Sequence, residues 1–156
     1  MKGDAKVIDA LNQILSWELA AINQYFVHAM MRDNWGYQRL AERAHKDALS
    51  EMKHAEALID RILHLEGTPN VSRMEKIRIG AKVAQQLNFD LDVEVSTVPR
   101  FNTAIALAVS VGDNVTRDLL EAMLKSEDEH VHWLESQLSL IAQVGEQNYL
   151  AQQIRE

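Results

Sequence analysis

The sequence predicts an all-α chain: a four-helix bundle with one long crossover between the second and third helices and a short fifth helix at the C-terminus. Three observations lead there. Apolar residues recur at steps of three and four over four segments of about 30 residues each, the period of an amphipathic helix. Glycine and proline are scarce, six and two in 156 residues, and all but Pro99 fall between those segments or at the extreme N-terminus. No stretch alternates long enough to make a strand.

The elements follow in order. The first helix is placed at about 5–33, before the turn signal Asp33-Asn34-Trp35-Gly36, and the second at about 37–66. Gly67-Thr68-Pro69-Asn70 is a strong stop-and-turn cluster. The third helix is placed at about 83–111, the fourth at about 114–144 after Gly112-Asp113-Asn114, and the fifth at about 146–154 after Gly145. The first and third connections are short, so each flanking pair is an antiparallel hairpin; residues 67–82 are enough to run back along the bundle. Pro99 interrupts the third segment, where a proline costs about 3 kcal/mol or kinks the helix. The apolar phase continues across it through Leu87, Leu91, Val98, Phe101 and Ile105, so one kinked helix is expected. The whole of 1–156 reads as a single domain, with no internal repeat.

Composition narrows the chemistry. Apolar residues make up 47% of the chain, enough to fill one core. The absence of cysteine excludes disulfides, a thiol nucleophile and thiolate metal sites. A net charge of −7 argues against nucleic acid and for metal cations as partners. The N-terminus has no apolar signal-peptide core and no segment reads as a membrane span, so the expected location is the cytoplasm.

Glu-x-x-His is the motif to test, because two copies on two helices build a carboxylate-bridged dinuclear metal site. The chain holds four: Glu42/His45, Glu51/His54, Glu127/His130 and Glu129/His132. Helical phase separates them. Glu51 and His54 continue the apolar line of Leu40, Ala44, Leu58, Ile62 and Leu65, whereas Glu42 lies nine residues earlier, about 180° around the helix. Glu127 and His130 continue the line of Leu120, Met123, Leu134 and Ile141, and Glu129 and His132 lie about 200° from it. The first helix adds one inward acid, Glu18, among Leu11, Ile14, Ile22 and Tyr25; the third adds Glu94 between Leu91 and Val98. All four acids sit near the midpoints of their segments, within about 5 Å along the axis, so a packed bundle places them in one layer. An ionised carboxylate on an apolar stripe is costly unless it is paired or binds metal. Four carboxylates balance two divalent ions, and oxygen with imidazole suits iron, manganese or zinc.

With these residues in hand, the chain resembles a bacterioferritin over essentially its whole length. The matching segments include Met1-Lys2-Gly3-Asp4, Asn23-Gln24-Tyr25-Phe26, Asp33-Asn34-Trp35-Gly36, Glu51-Met52-Lys53-His54-Ala55, Glu127-Asp128-Glu129-His130 and Asn148-Tyr149-Leu150. The resemblance implies a ferritin-like four-helix bundle assembled from two-fold dimers into a hollow 24-subunit cage. It implies oxidation of Fe(II) by O₂ or H₂O₂ at an intrasubunit di-iron ferroxidase centre, and storage of the ferric mineral. The family's six ligands fall on Glu18, Glu51, His54, Glu94, Glu127 and His130, with Glu51 and Glu127 bridging. The resemblance also implies a haem b shared between two subunits, with Met52 from each as axial ligand, and a bacterioferritin-associated ferredoxin that delivers electrons for iron release. Tyr25 and His45 are expected beside the metal ligands, Trp133 in the packing, and His28, His64 and His132 at the surface or an interface.

The chain also departs from the family. Where Tyr-His-Glu-Ser-x-Asp is common before Glu-Met, it reads His45-Lys46-Asp47-Ala48-Leu49-Ser50, which removes inner-surface iron ligands and adds a cation at Lys46. That keeps open a structural or haem-bearing subunit of a mixed cage with impaired ferroxidase activity. A di-iron peroxidase is the other enzyme class to weigh, although its usual Cys₄ domain is absent here. A DNA-protecting mini-ferritin would carry ligands between subunits and a basic tail.

Overall fold

Helix α1 (Ala5–Trp35) begins where the Asp4 carboxylate accepts the N–H groups of Lys6 (2.8 Å) and Val7 (3.2 Å), two of the amides that a helix start leaves free. It runs two residues past the expected end, because Gly36 rather than Asp33-Asn34 stops it. Gly36 is left-handed (φ +89°) and returns its N–H to the Arg32 and Asp33 carbonyls, a conformation glycine adopts without a Cβ clash. The chain reverses at once into α2 (Gln38–His64).

Helix α2 was expected to reach residue 66 and stops at His64, where the amides of Leu65, Glu66 and Gly67 fold back onto the carbonyls of Arg61, Leu63 and Ile62. The left-handed residue of this stop is Glu66 (φ +63°), not Gly67. Gly67 is needed for space instead: a Cβ there would lie 2.7 Å from Ile8 Cγ2.

The crossover lies along α1 in the direction of that helix. Asn12 donates to the Thr68 carbonyl and accepts from the Asn70 N–H; Glu75 N–H reaches the Ser16 carbonyl. Further along, Gln24 Oε1 accepts from Arg78 N–H (3.1 Å) and His28 Nε2 from Gly80 N–H (3.0 Å). The chain thus returns to the end of the bundle at which α2 began, and α3 (Val83–Ser110) runs parallel to α2.

Helix α3 continues through Pro99 as one element. The proline has no N–H for the Val95 carbonyl. On the next residue Arg100 donates from Nη1 to the Ser96 carbonyl (2.6 Å) while its guanidinium lies 4.2 Å over the Trp17 ring. Helix α4 (Asn114–Val144) is capped by Asp113, which accepts from Thr116 N–H (3.1 Å), and Arg61 of α2 bonds both Asp113 and Thr116 at 2.9 Å. Helix α5 (Glu146–Ala151) is shorter than expected and turns Tyr149 into the bundle, where its hydroxyl donates to Gln137 Oε1 (2.7 Å).

The computed structural model describes residues 1–155, and these form an all-α bundle of four long helices with a short fifth; among them there is no strand. Helix α1 packs most extensively on α2, and α3 on α4, as the short connections predict. Two apolar plugs fill the interior. One gathers Leu11, Ile14, Leu15, Leu58, Ile62, Phe101 and Leu120; the other gathers Leu40, Val83, Leu87, Leu134 and Tyr149. Between them lies a polar layer. Among the described residues no helix is long and apolar enough to cross a membrane.

Candidate metal centre

Each long helix turns one acid into the polar layer, and α2 and α4 add a histidine one turn further along. The ligand atoms form two overlapping groups, Glu18-Glu51-His54-Glu127 and Glu51-Glu94-Glu127-His130. Within each group they lie within 4.8 Å of one another. Glu51 and Glu127 belong to both. His54 Nδ1 lies 3.0 Å from Glu127 Oε1, 3.3 Å from Glu51 Oε2 and 3.5 Å from Glu18 Oε2. His130 Nδ1 lies 3.1 Å from Glu94 Oε1. The rejected pairs point outward: Glu42, His45, Glu129 and His132 are all exposed.

The donor set fits cations. Glu18 Oε2, Glu51 Oε2 and Glu94 Oε2 are buried with no hydrogen-bond partner among the described residues. Each such group costs about 1–3 kcal/mol, and more when charged. Metal ions satisfy such oxygens without supplying an N–H, and the hard oxygen and imidazole atoms suit iron, manganese or zinc.

Titration reflects the same crowding. Burial, then the charge of Glu127, pushes the Glu94 carboxyl up to about 8. Burial likewise raises Glu51, with Glu94 adding to it, and raises Glu127, with Glu51 adding to it. Burial alone would lower His54, but the Glu127 and Glu51 carboxylates beside its ring outweigh it and raise the imidazole to about 10. His130 moves up for the same reason, through Asp47 and Glu94. The Tyr25 phenol, fully buried, is pushed well above its ordinary value by desolvation and then by Glu94.

Tyr25 stands where its spacing from Glu18 places it: the hydroxyl donates to Glu94 Oε1, and the ring meets the His130 ring edge-on at 5.3 Å. His45 does not. Its side chain is exposed and packs on Phe26, with ring centroids 5.7 Å apart, because it lies one position off the buried line of Leu40, Ala41, Ala44 and Ala48. The carboxylate beside the cluster is Asp47, whose Oδ2 lies 3.1 Å from His130 Nε2. Met52 stands on the outer flank of α2, 44% exposed. Trp133, half-buried, lies over Arg43 and near the His130 ring.

His28 is buried too, against the expectation of a surface position. Its Nδ1 faces Asp90 Oδ1 (2.8 Å), and the same carboxylate receives Gln24 Nε2 (2.9 Å) and Arg32 Nη2 (3.3 Å). Arg32 Nε donates to Gln86 Oε1 (2.9 Å), whose amide reaches the Gly80 carbonyl (3.2 Å). Since the Gly80 N–H points at His28 Nε2, that nitrogen is the acceptor and Nδ1 the donor. Sequence reading misses this network beside the polar layer. The signal was present: continuing the line of Glu18 and Tyr25 by threes and fours reaches His28 and Arg32.

Comparison with known proteins meets this geometry from the other side. The model of the ferritin-like domain matches residues 8–144. The chain is similar to a protein named bacterioferritin from Mycobacterium leprae, 43% identical over 152 residues that cover 97% of this chain and 96% of that one. It is 40% identical over 156 residues to a bacterioferritin from Streptomyces coelicolor, covering all of this chain and 93% of the relative. A bacterioferritin from Brucella melitensis is 39% identical over 149 residues, 96% of this chain and 92% of its own. With a bundle of this form and similarity that spans nearly the full length of each protein, the chain belongs to the bacterioferritin family of ferritin-like proteins.

Proposed function

We propose that this chain stores iron and acts as a ferroxidase, oxidising Fe(II) in the polar layer before the ferric product is mineralised. The observation that carries this reading is the pair of four-residue groups sharing Glu51 and Glu127. Those two carboxylates would bridge, Glu18 with His54 would complete one iron, and Glu94 with His130 the other. Iron bound there supplies one-electron redox chemistry, and two ions side by side deliver the two electrons that O₂ or H₂O₂ takes up. The chain's own part is to neutralise and confine the ions. Four carboxylates match two divalent charges, the Tyr25 hydroxyl holds one oxygen of Glu94, and the apolar plugs on either side limit water. Protons held by Glu94, His54 and His130 leave as the metal enters.

The same reading includes a 24-subunit cage in the cytoplasm and a haem b held by Met52 from each of two subunits across a two-fold axis. It also includes a small ferredoxin as the source of electrons for release. Family membership and the exposed position of Met52 support these assignments. The exposed Lys46 favours a second reading, a haem-bearing or structural subunit of a mixed cage.

Rapid mixing of the metal-free protein with two Fe(II) per subunit, followed by near-ultraviolet absorbance, tests the proposal. A fast phase that Glu51→Ala and Glu127→Ala abolish is expected. A fast phase unchanged in both variants refutes the site, and its absence from the natural chain alone favours the mixed cage. Size-exclusion chromatography with haem absorbance across the peak tests assembly and haem together; a colourless monomer overturns both.

A further inference from the structure

The two histidines of the centre meet the carboxylates alike and are supported differently. His130 presents Nδ1 to Glu94 and Nε2 to Asp47, each at 3.1 Å, so both sides of the ring are fixed. His54 presents Nδ1 to its acids, and among the described residues no side chain or carbonyl bonds its Nε2. Asp47 is itself held. Arg43, one turn earlier on α2, places Nε 3.0 and 3.1 Å from the two Asp47 oxygens. The Arg43 guanidinium in turn lies 4.0 Å over Trp133, three residues after His130 on α4. The clamp therefore spans α2 and α4 and closes on the helix that carries His130.

We propose that Asp47, held by Arg43 against Trp133, is a positioning residue that makes the Glu94–His130 half of the centre the tighter metal-binding half. This rests on the two-metal reading above. The cause is general: an imidazole whose second nitrogen donates to a carboxylate has a fixed tautomer and ring orientation and is a stronger ligand, and losing that partner typically costs about 10–100-fold in metal affinity. The His54 ring lacks this support and loses more freedom when a metal arrives.

Titration of the full-length, metal-stripped protein with Co(II) alone, read by calorimetry and by the ligand-field spectrum, tests the assignment. The natural chain should bind two ions per subunit in two steps; His54→Ala should keep the tighter step and His130→Ala should lose it. Asp47→Ala should weaken the tighter step by about 10–100-fold and leave the weaker one in place. Asp47→Asn, which keeps an acceptor, should weaken it less, and Arg43→Met should fall between. The ratio of the two steps is the readout, because a general loss of stability does not change it selectively. If Asp47→Ala fails to fold, Asp47→Asn and Arg43→Met decide. An unchanged ratio, or selective loss of the weaker step, overturns the positioning role. Fewer than two ions bound by the natural chain overturns the two-metal reading instead.

Discussion

Replacing Glu94 by Gln should stabilise the metal-free fold while weakening metal binding at its half of the centre. The Glu94 side chain is fully buried and its carboxyl is raised from an ordinary 4.5 to about 8, by burial and then by Glu127. An acid raised in this way binds its proton more tightly in the folded chain than in the unfolded one, so stability falls as pH rises between those two values and is flat above the upper one. At 1.36 kcal/mol per pKa unit the full displacement corresponds to about 5 kcal/mol. Glu94 shares its surroundings with Glu127 and His130, so the expected gain on substitution is about half of that. Glutamine fits the site: its oxygen takes the bonds now received by Glu94 Oε1 from Tyr25 and His130, and its amide nitrogen replaces the unpartnered Oε2. The assay is thermal unfolding by circular dichroism in excess chelator from pH 5 to 9. The variant should gain on the natural chain as pH rises through 7 and level off above 8. Equal stability at pH 8.5, or a less stable variant, refutes the reasoning. With Co(II) added the order should reverse, since only the natural chain keeps all the ligands.

Further outcomes follow from the same geometry. Because His54 stays protonated up to about 10 and Glu94 up to about 8, metal binding at neutral pH should release protons and weaken as pH falls, which calorimetry in buffers of differing ionisation heat will read. Asp113→Ala removes the α4 cap and the Arg61 partner, and should cost about 1–2 kcal/mol at neutral pH. Burial would raise Asp113, but Thr116 and Arg61 outweigh it and hold the carboxyl below 3.8; the gap between variant and natural chain should therefore close as acid unfolding passes below that value. Gly67→Ala pushes a methyl into Ile8 and should lower stability by about 1–3 kcal/mol, measured by the shift in melting temperature.

The bundle was legible because its long helices repeat their apolar residues at the helical period, and the same phase separated Glu51 and Glu127 from Glu42 and Glu129. What phase did not convey is pairing. His28 and Asp90 each continue an inward line of their helix, but they are 62 positions apart and nothing local says that they meet. Asp47 lies on the inward line of α2, three residues after Ala44 and four before Glu51, whereas His45 falls off it. The helix ends moved by a few residues for backbone reasons: at the α2 stop, Glu66 takes the left-handed conformation that composition would give to Gly67.

The crossover is fastened to α1 chiefly through its main chain. Asn12 grips the backbone at Thr68 and Asn70, Gln24 that of Arg78 and His28 that of Gly80. From Asn12 to Ser16 the helix advances about 6 Å, while the five peptide steps from Asn70 to Glu75, whose N–H reaches the Ser16 carbonyl, can stretch to about 17 Å. The strap therefore has slack between its buckles. Its residues 71–73 can be rewritten, shortened by one position, or given an inserted epitope without unfastening Asn70 or Glu75, which makes this segment the natural place to attach cargo or a label to the bundle.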